Sequence, residues 1–489
     1  MTTYPSAGQR LASRREIAGL SICFAILGFG VATFTHGDPD LWGHLRFGLD
    51  SLHRWGPSIA DPYSFTQDRQ WHNHEWLSEA FMALSWKIAG VGGLVVLKAA
   101  LATTAVALVW GATRGAATVA RLVLLGWLIF GTVHMTSMLR PQLWSFVAMA
   151  LLARHLLAPS RWSYVLLPLA FALWANTHGG WFVGLAVLGA WIFGGGVIEP
   201  GRRGRTIALG IACAVATLAT PYGIGTWTFI LTTVRFERAI TEWRPLWEGA
   251  SVAEWAAWAG TSVMAAYVAM TSRGRPLARL LVLSILAWSA LRVMRMGSLY
   301  VTVACVFIAP WLIARWPATS RRVAAHPKGA VLLLALPALA AVFAPGGLAA
   351  TAARCVATTG PWQPDAAVAF TLRSVPPGRL LTSFEWGEFA IWHFGPGLKV
   401  SVDGRRETVY SSEHLKRHDA VLAATNEGLQ TLDTWQPDYI WLPQSAPQLK
   451  APLLSRGYHL VAESERSWLA SRTPIPRVFS GYSSGCFPE

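Results

Sequence analysis

The chain alternates long apolar runs with short polar breaks. A bilayer needs about 20 apolar residues per helix. On that measure Ile17 to Thr35 reads as a first span, followed by a long polar and aromatic stretch over 36–90. Further spans read as Val91 to Trp110, Leu122 to His134, a run from Arg140-Pro141-Gln142 to Leu157, Tyr164 to Ala175 and Trp181 to Ile198. Then come Thr206 to Thr220, a span ending near Met270, Leu280 to Leu291, Ser298 to Ala314 and Gly329 to Leu348. The period pattern therefore predicts a polytopic α-helical membrane protein with about 11 transmembrane helices.

After about residue 350 the pattern changes. Gly378 to Phe384, Lys399 to Asp403 and Asp438 to Leu442 read as strands. Glu385 to Phe394, Ser412 to Thr425 and Ala446 to Arg456 read as helices between and after them, and Tyr458 to Ala470 as a closing hairpin. Strands alternating with helices predict a small α/β domain with a partly parallel sheet. The division expected is 1–350 for the membrane domain, with outer loops 36–90 and 221–251, and 351–489 for the α/β domain.

Composition sharpens the class. Of 489 residues 53% are hydrophobic and only 14% charged, against about 25% charged in soluble domains. The net charge of +15 does not point to nucleic acid, because the basic residues punctuate apolar segments instead of clustering on a soluble domain. With the N-terminus inside, the cytoplasmic segments hold Arg10, Arg14, Arg15, Arg114, Arg121, Arg154, Arg161, Arg202, Arg203, Arg205, Arg273, Arg275, Arg279, Arg315, Arg321, Arg322 and Lys328. The short outer turns after the third and fifth spans hold only Arg140. That asymmetry obeys the positive-inside rule and puts the C-terminal domain outside the cytoplasm. The 26 Trp suit interfacial belts. No small-residue cleavage site follows the first apolar run, so no cleavable signal peptide is expected. Of five cysteines, Cys355 and Cys486 bracket the polar C-terminal region, and a disulfide between them is a hypothesis for that oxidising side.

The candidate chemistry starts at Asp38-Pro39-Asp40, where the chain leaves the first span. Carboxylates at a membrane exit are costly to place without a reason. One can act as a general base on an acceptor hydroxyl, and the pair can hold a divalent ion through oxygen ligands. Asp40 is favoured as the base because Pro39 fixes the turn before it. The plainer alternative is that both aspartates only cap a helix. His44, His74 and Glu75 are expected to bind substrate. His72, His74 and Glu75 lack the spacing of a zinc-binding helix. Residues 75–87 also fit an interfacial helix with Glu75 and Glu79 outward. Arg292 and Arg295 are three apart, so they share a helical face, and they stand where the positive-inside rule disfavours them. Arginine binds phosphate in a planar, bidentate manner, so Arg292, Arg295 and Arg140 are candidates for holding a lipid phosphate, with His178 beside them.

A first span ending in an acidic pair, a long amphipathic outer loop, about eleven spans and an outer C-terminal domain resemble the GT-C glycosyltransferases, including the protein O-mannosyltransferases and lipid A aminoarabinose transferases. The strings Asp38 to Leu45, Asn73 to Leu77 and Val402 to Tyr410 are more similar still to bacterial relatives of that group. The resemblance implies inverting transfer of a sugar from a polyprenyl-phosphate donor to an acceptor on the outer face, with Asp40 or Asp38 as base. Membrane lipid and a polyprenyl-phosphate sugar are the implied partners, a divalent metal a possible cofactor, and the bacterial inner membrane the implied location. The rivals are a non-catalytic scaffold and a transporter of a lipid-linked intermediate. The second would need a continuous polar path, and the spans carry little charge beyond Lys98 and arginines near their ends.

Overall fold

The computed structural model describes residues 35–58, 60–196, 203–233, 241–271, 277–317, 356, 358, 363–476 and 486–488. The expected spans Ile17 to Thr35 and Gly329 to Leu348 therefore lie, but for Thr35, outside the described residues. The chain divides into two compact units. One takes in Leu94–Thr220 and Arg238–Arg354, the other His36–Gly93, Pro221–Glu237 and Cys355–Glu489.

The first unit is helical. Its helices follow the apolar runs closely: α3 Thr118–Ser137, α4 Gln142–Leu157, α5 Ser163–Thr177, α6 Trp181–Phe193, α7 Arg203–Ala216, α9 Val252–Thr271, α10 Leu277–Arg292 and α11 Gly297–Arg315. Helix α11 is central, packing on α3, α4, α9 and α10. Leu299 to Ala309 are all buried along it, as expected of a helix that is apolar all round. Among the described residues, Trp76–Ala112, Thr118–Ser137 and Met294–Arg315 are long and apolar enough to cross a membrane. Shorter apolar helices cover Gln142–Leu157, Ser163–Thr177 and Trp181–Phe193.

Helix α2, Trp76–Ala112, is continuous in sequence but broken in backbone. Ala89 and Gly90 are non-helical, and Gly90 takes φ +56, a region glycine enters at little cost. The break separates the expected interfacial segment 75–87 from the apolar segment that begins at Val91.

The second unit is built on a five-stranded sheet of order β2-β1-β3-β5-β4. The strands are β1 Gly378–Thr382, β2 Leu398–Val400, β3 Tyr439–Pro443, β4 His459–Glu463 and β5 Ser467–Ser471. β1 pairs in parallel with β2 and β3. β5 runs antiparallel to β3 and β4, so the expected partly parallel sheet and closing hairpin are both present. The crossover helices are α13 Gly387–Phe394, between β1 and β2, and α14 Ser412–Leu422 with α15 Asn426–Trp435, between β2 and β3. The expected helix over 446–456 is reduced to a 3-10 turn, Pro447–Leu449, and the short α16, Lys450–Leu454. Two short helices complete the described set, α8 Gly225–Thr233 and α12 Ala366–Ala369.

The segment 36–93 belongs to this unit. Its helix α1, Leu41–Arg54, packs on α13. Past α1 the chain adds to the free edge of β2: Val400 N donates to Tyr63 O at 2.8 Å and Phe65 N to Val400 O at 3.2 Å. Arg69 N and His72 N then donate to Val409 O and Thr408 O, each at 3.2 Å. Residues of the two ends of the sequence thus share one sheet, and the edge strand is covered. At the C-terminus, Trp42 Nε1 and His393 Nε2 both donate to Pro488 O, at 3.0 and 2.8 Å. Cys486 is disulfide-bonded. Cys355, its expected partner, lies outside the described residues, although Phe487 N donates to Val356 O at 2.9 Å.

Helix α1 meets the first turns of α2 at Gly48, where a Cβ would strike the backbone carbonyl of Glu79. Backbone cannot give way as a flexible side chain can, so Gly48→Ala should cost about 1–3 kcal/mol by overpacking. Thermal unfolding of the detergent-solubilised variant checks this; an unchanged midpoint would contradict the packing described.

Candidate functional site

Four carboxylates gather in the second unit. Asp38 is buried, 4% exposed. Asp40 stands at the N-cap position of α1, yet its side chain makes no capping hydrogen bond, so capping does not account for it. Glu388, on α13, is 3% exposed and accepts from Gly43 N at 3.1 Å. Asp403 is fully buried just past β2. Glu388 and Asp403 thus follow the carboxyl ends of the adjacent parallel strands β1 and β2, the edge at which open α/β sheets place ligands.

Glycines let these groups approach. A Cβ at Gly404 would run into both Asp40 Oδ1 and Glu388 Oε1, and one at Gly43 would collide with the Glu388 carboxylate. Burial, then the charges of Asp40, Asp403 and Asp38, hold the Glu388 carboxyl well above the usual range, against the opposing pull of Arg405. The direction of that shift favours the protonated carboxyl, the form that can donate a hydrogen bond. The arrangement resembles a carboxyl pair in which like charges cannot both ionise.

Beneath these groups Arg405 sits between two carboxylates. Its Nη1 and Nη2 reach Asp61 Oδ1 and Oδ2 at 2.7 and 3.0 Å. Its Nε and Nη2 reach Asp403 Oδ1 and Oδ2, both at 2.8 Å. Tyr410 donates to Asp403 Oδ2 at 2.8 Å. The guanidinium is caged by Trp71, Phe47 and Tyr63 at 4.7, 5.1 and 5.7 Å from the ring centres. Burial pushes the Asp403 carboxyl up, but the charge and hydrogen bonds of Arg405 outweigh it and hold Asp403 below its ordinary value. Arg405 is thus a positioning group that fixes the loop after β2 against the loop between α1 and α2.

His44 is not placed as a free substrate ligand. Its Nδ1 lies 2.9 Å from Glu79 Oε1. Burial opposes its charge, but the hydrogen bond and charge of Glu79 prevail and raise its pKa to about 9. Glu79, expected to face outward, is 3% exposed; His44 on one side and Asn73 Nδ2 at 2.6 Å on the other turn it inward. Glu75 lies 3.6 Å from His74 Nε2. His72 is stacked between Tyr222 and Phe229, at 3.9 and 4.4 Å. Among the described residues, the group that brings three possible metal-ligand atoms within 4.8 Å of one another is His44, Glu75 and Glu79. Asp38 and Asp40 are not part of such a group.

The basic candidates lie in the first unit. Arg140 Nη1 donates to both oxygens of Glu242, at 2.8 and 3.0 Å. Arg295 stands over Trp243 at 5.7 Å and brings Nη2 to 3.5 Å from His178 Nε2. His178 is oriented from below: Gly180 N and Ser145 Oγ meet its Nδ1 at 3.0 and 2.6 Å, and Ser145 accepts from Trp174 Nε1 at 2.7 Å. Arg292 and Arg295 do not share a helical face. Helix α10 ends at Arg292, Val293 is extended, and Met294–Met296 is a 3-10 turn. Arg292 lies over Trp247 and Trp288 instead.

Two outcomes are expected. Removing one member of a buried ion pair typically costs about 3–5 kcal/mol, so Arg405→Ala should lose that much stability. Arg405→Lys should recover little of it, because an ammonium cannot serve two carboxylates bidentately. Chemical unfolding of both variants is the check. The second concerns pH. Burial would raise the Glu242 pKa, but His134, Arg140 and Arg295 together lower it to about 2. A depressed carboxylate stabilises the fold above its unfolded pKa and loses that contribution as pH falls through its folded value. The melting temperature should therefore fall between about pH 4.5 and pH 2 in a component that Glu242→Gln lacks; equal acid profiles would contradict the pairing.

No family model matches the chain, and no curated protein matches it by sequence. Solved structures do match. The oligosaccharyltransferase AglB of Archaeoglobus fulgidus, in complex with an inhibitory peptide and a dolichol-phosphate, is 11% identical with a TM-score of 0.59, over 91% of this chain and 73% of that one. ArnT from Cupriavidus metallidurans, bound to undecaprenyl phosphate, is 13% identical with a TM-score of 0.52, over 97% and 99%. The mycobacterial arabinofuranosyltransferase AftD is 14% identical with a TM-score of 0.53, over 94% of this chain but only 40% of its own. At these identities the likeness speaks for the fold, and this chain has the fold of the GT-C membrane glycosyltransferases.

Proposed function

We propose that this protein transfers a sugar, with inversion, from a polyprenyl-phosphate carrier to an acceptor on the extracytoplasmic face of a bacterial inner membrane. The observation that carries the proposal is the meeting of Asp40 and Glu388 above Gly404. It sets a half-buried carboxylate beside a buried carboxyl that burial and neighbouring charges hold well above its ordinary range. Two carboxyl groups with opposed protonation states are the usual way a site separates a base from a hydrogen-bond donor.

In this reading Asp40 accepts the proton of the acceptor hydroxyl as its oxygen attacks the anomeric carbon. The bond from that carbon to the phosphate oxygen breaks, and its electron pair leaves with the lipid phosphate. Glu388 keeps its proton and donates to an acceptor oxygen, so the base does not face a second negative charge. Asp38 orients the acceptor. Arg295, held beside His178, and Arg140 and Arg292 are the groups proposed to bind a lipid phosphate. The bound dolichol-phosphate of AglB and undecaprenyl phosphate of ArnT support a carrier of that class. The N-terminus is cytoplasmic, and about eleven helices span the bilayer.

Losing a general base typically costs 10²–10⁴-fold in rate. Transfer of labelled sugar by membranes carrying Asp38→Ala and Asp40→Ala together should fall by about that much at unchanged expression. Glu388→Gln, which keeps a neutral donor, should fall less than Glu388→Ala. Full transfer by the double aspartate variant would overturn the catalytic reading and leave a scaffold.

A further inference from the structure

The group His44, Glu75 and Glu79 stands apart from the carboxylates assigned to transfer. It draws on three places: the first turn of α1, the residue before α2 and the first turn of α2. One nitrogen and two carboxylate oxygens lie within 4.8 Å of one another. An ion with bonds of about 2.0–2.2 Å would hold such atoms about 3.4 Å apart as the face of a tetrahedron, a shift of about 1 Å or less for each. The side chains of His44 and Glu79 are 13% and 4% exposed. Two carboxylates this close repel in a partly dry site, and a divalent ion between them satisfies both at once.

Asn73 locks the set. It is 5% exposed, donates through Nδ2 to Glu79 Oε2 at 2.6 Å and accepts through Oδ1 from Glu75 N at 3.1 Å. Its own N–H donates to Tyr222 Oη at 3.0 Å. One buried amide therefore fixes the carboxylate of one ligand and the backbone of the other, which is what an outer shell does for metal ligands. Helix α1 is held to α2 at Gly48, so His44 is carried on a rigid element.

We infer that His44 Nδ1, Glu75 and Glu79 form a divalent-metal site of the zinc class, with a fourth position open to water. An imidazole with two carboxylates suits zinc better than the all-oxygen sets of magnesium and calcium. On binding, the ion takes the place of the proton shared by His44 and Glu79, which leaves to solvent. The site ties α1, and with it Asp40 four residues before His44, to the start of α2. It stands whether or not the chain transfers sugar.

The test uses the full chain in detergent, stripped with a chelator and titrated with zinc chloride by calorimetry, with elemental analysis of the washed protein. One zinc per chain is expected. Glu75→Gln removes a ligand but leaves the His44–Glu79 contact, so it should keep the apo melting temperature and weaken zinc binding at least about tenfold. Asn73→Ala should weaken it by about 10–100-fold. Zinc should raise the melting temperature of the parent and not of Glu75→Gln. Zinc uptake by Glu75→Gln equal to the parent, or none by the parent, would overturn the site and leave an ion pair only. Tight binding of manganese without zinc would overturn the zinc assignment.

Discussion

The second unit depends on the burial of Arg405 between Asp61 and Asp403. A guanidinium costs several kcal/mol to desolvate, and the cost is offset only where every donor meets an acceptor. Here both partners are engaged bidentately, and three aromatic rings cover the faces. Arg405 and Asp61 are 344 positions apart in sequence. The interaction is therefore the clamp that gives the loop between α1 and α2 and the strand ends of the C-terminal sheet a common frame. It holds the Asp403 carboxyl below its ordinary value, while burial and the charges of Asp40 and Asp403 hold the Glu388 carboxyl well above its own.

From that frame the rest of the site follows. The loop pairs with β2, α1 packs on α13, and Gly43 and Gly404 bring Glu388 against the turn that carries Asp40. Asp38-Pro39-Asp40 is then an acidic turn whose surroundings are supplied by a domain more than 340 residues away in sequence. In the first unit, a separate network orients Arg295 through His178, Ser145 and Trp174, and balances Arg140 with Glu242.

Much of the fold was legible because hydrophobic period is a local property. Apart from Gly225–Thr233, which falls in the expected loop 221–251, the described α-helices from Thr118–Ser137 to Gly297–Arg315 match apolar runs, and the helix break at Gly90 falls where the interfacial segment was separated from the span. The alternation after residue 378 foretold the strands of the sheet. The site was legible only in part. Asp38 and Asp40 drew notice by position at a membrane exit. Glu388 did not, since nothing local says that a carboxylate in Trp-Gly-Glu-Phe-Ala-Ile-Trp points at residues 345 away. Its flanking apolar residues were the one available sign, because a lone acid there must be buried or interrupt the face. Glu79 was misjudged for the same reason: its partners His44 and Asn73 lie off its helix. The shared face of Arg292 and Arg295 failed because spacing says nothing of a helix that stops between them.

The central claim is that a lipid-linked sugar phosphate is the donor. Its most direct measurement is mass spectrometry of the lipid extracted from the purified protein. The account predicts polyprenyl phosphate, or its sugar ester, retained at close to one per chain and depleted when Arg140 and Arg295 are both replaced by alanine. Recovery of bulk phospholipid alone, identical in the parent and the double variant, would contradict it.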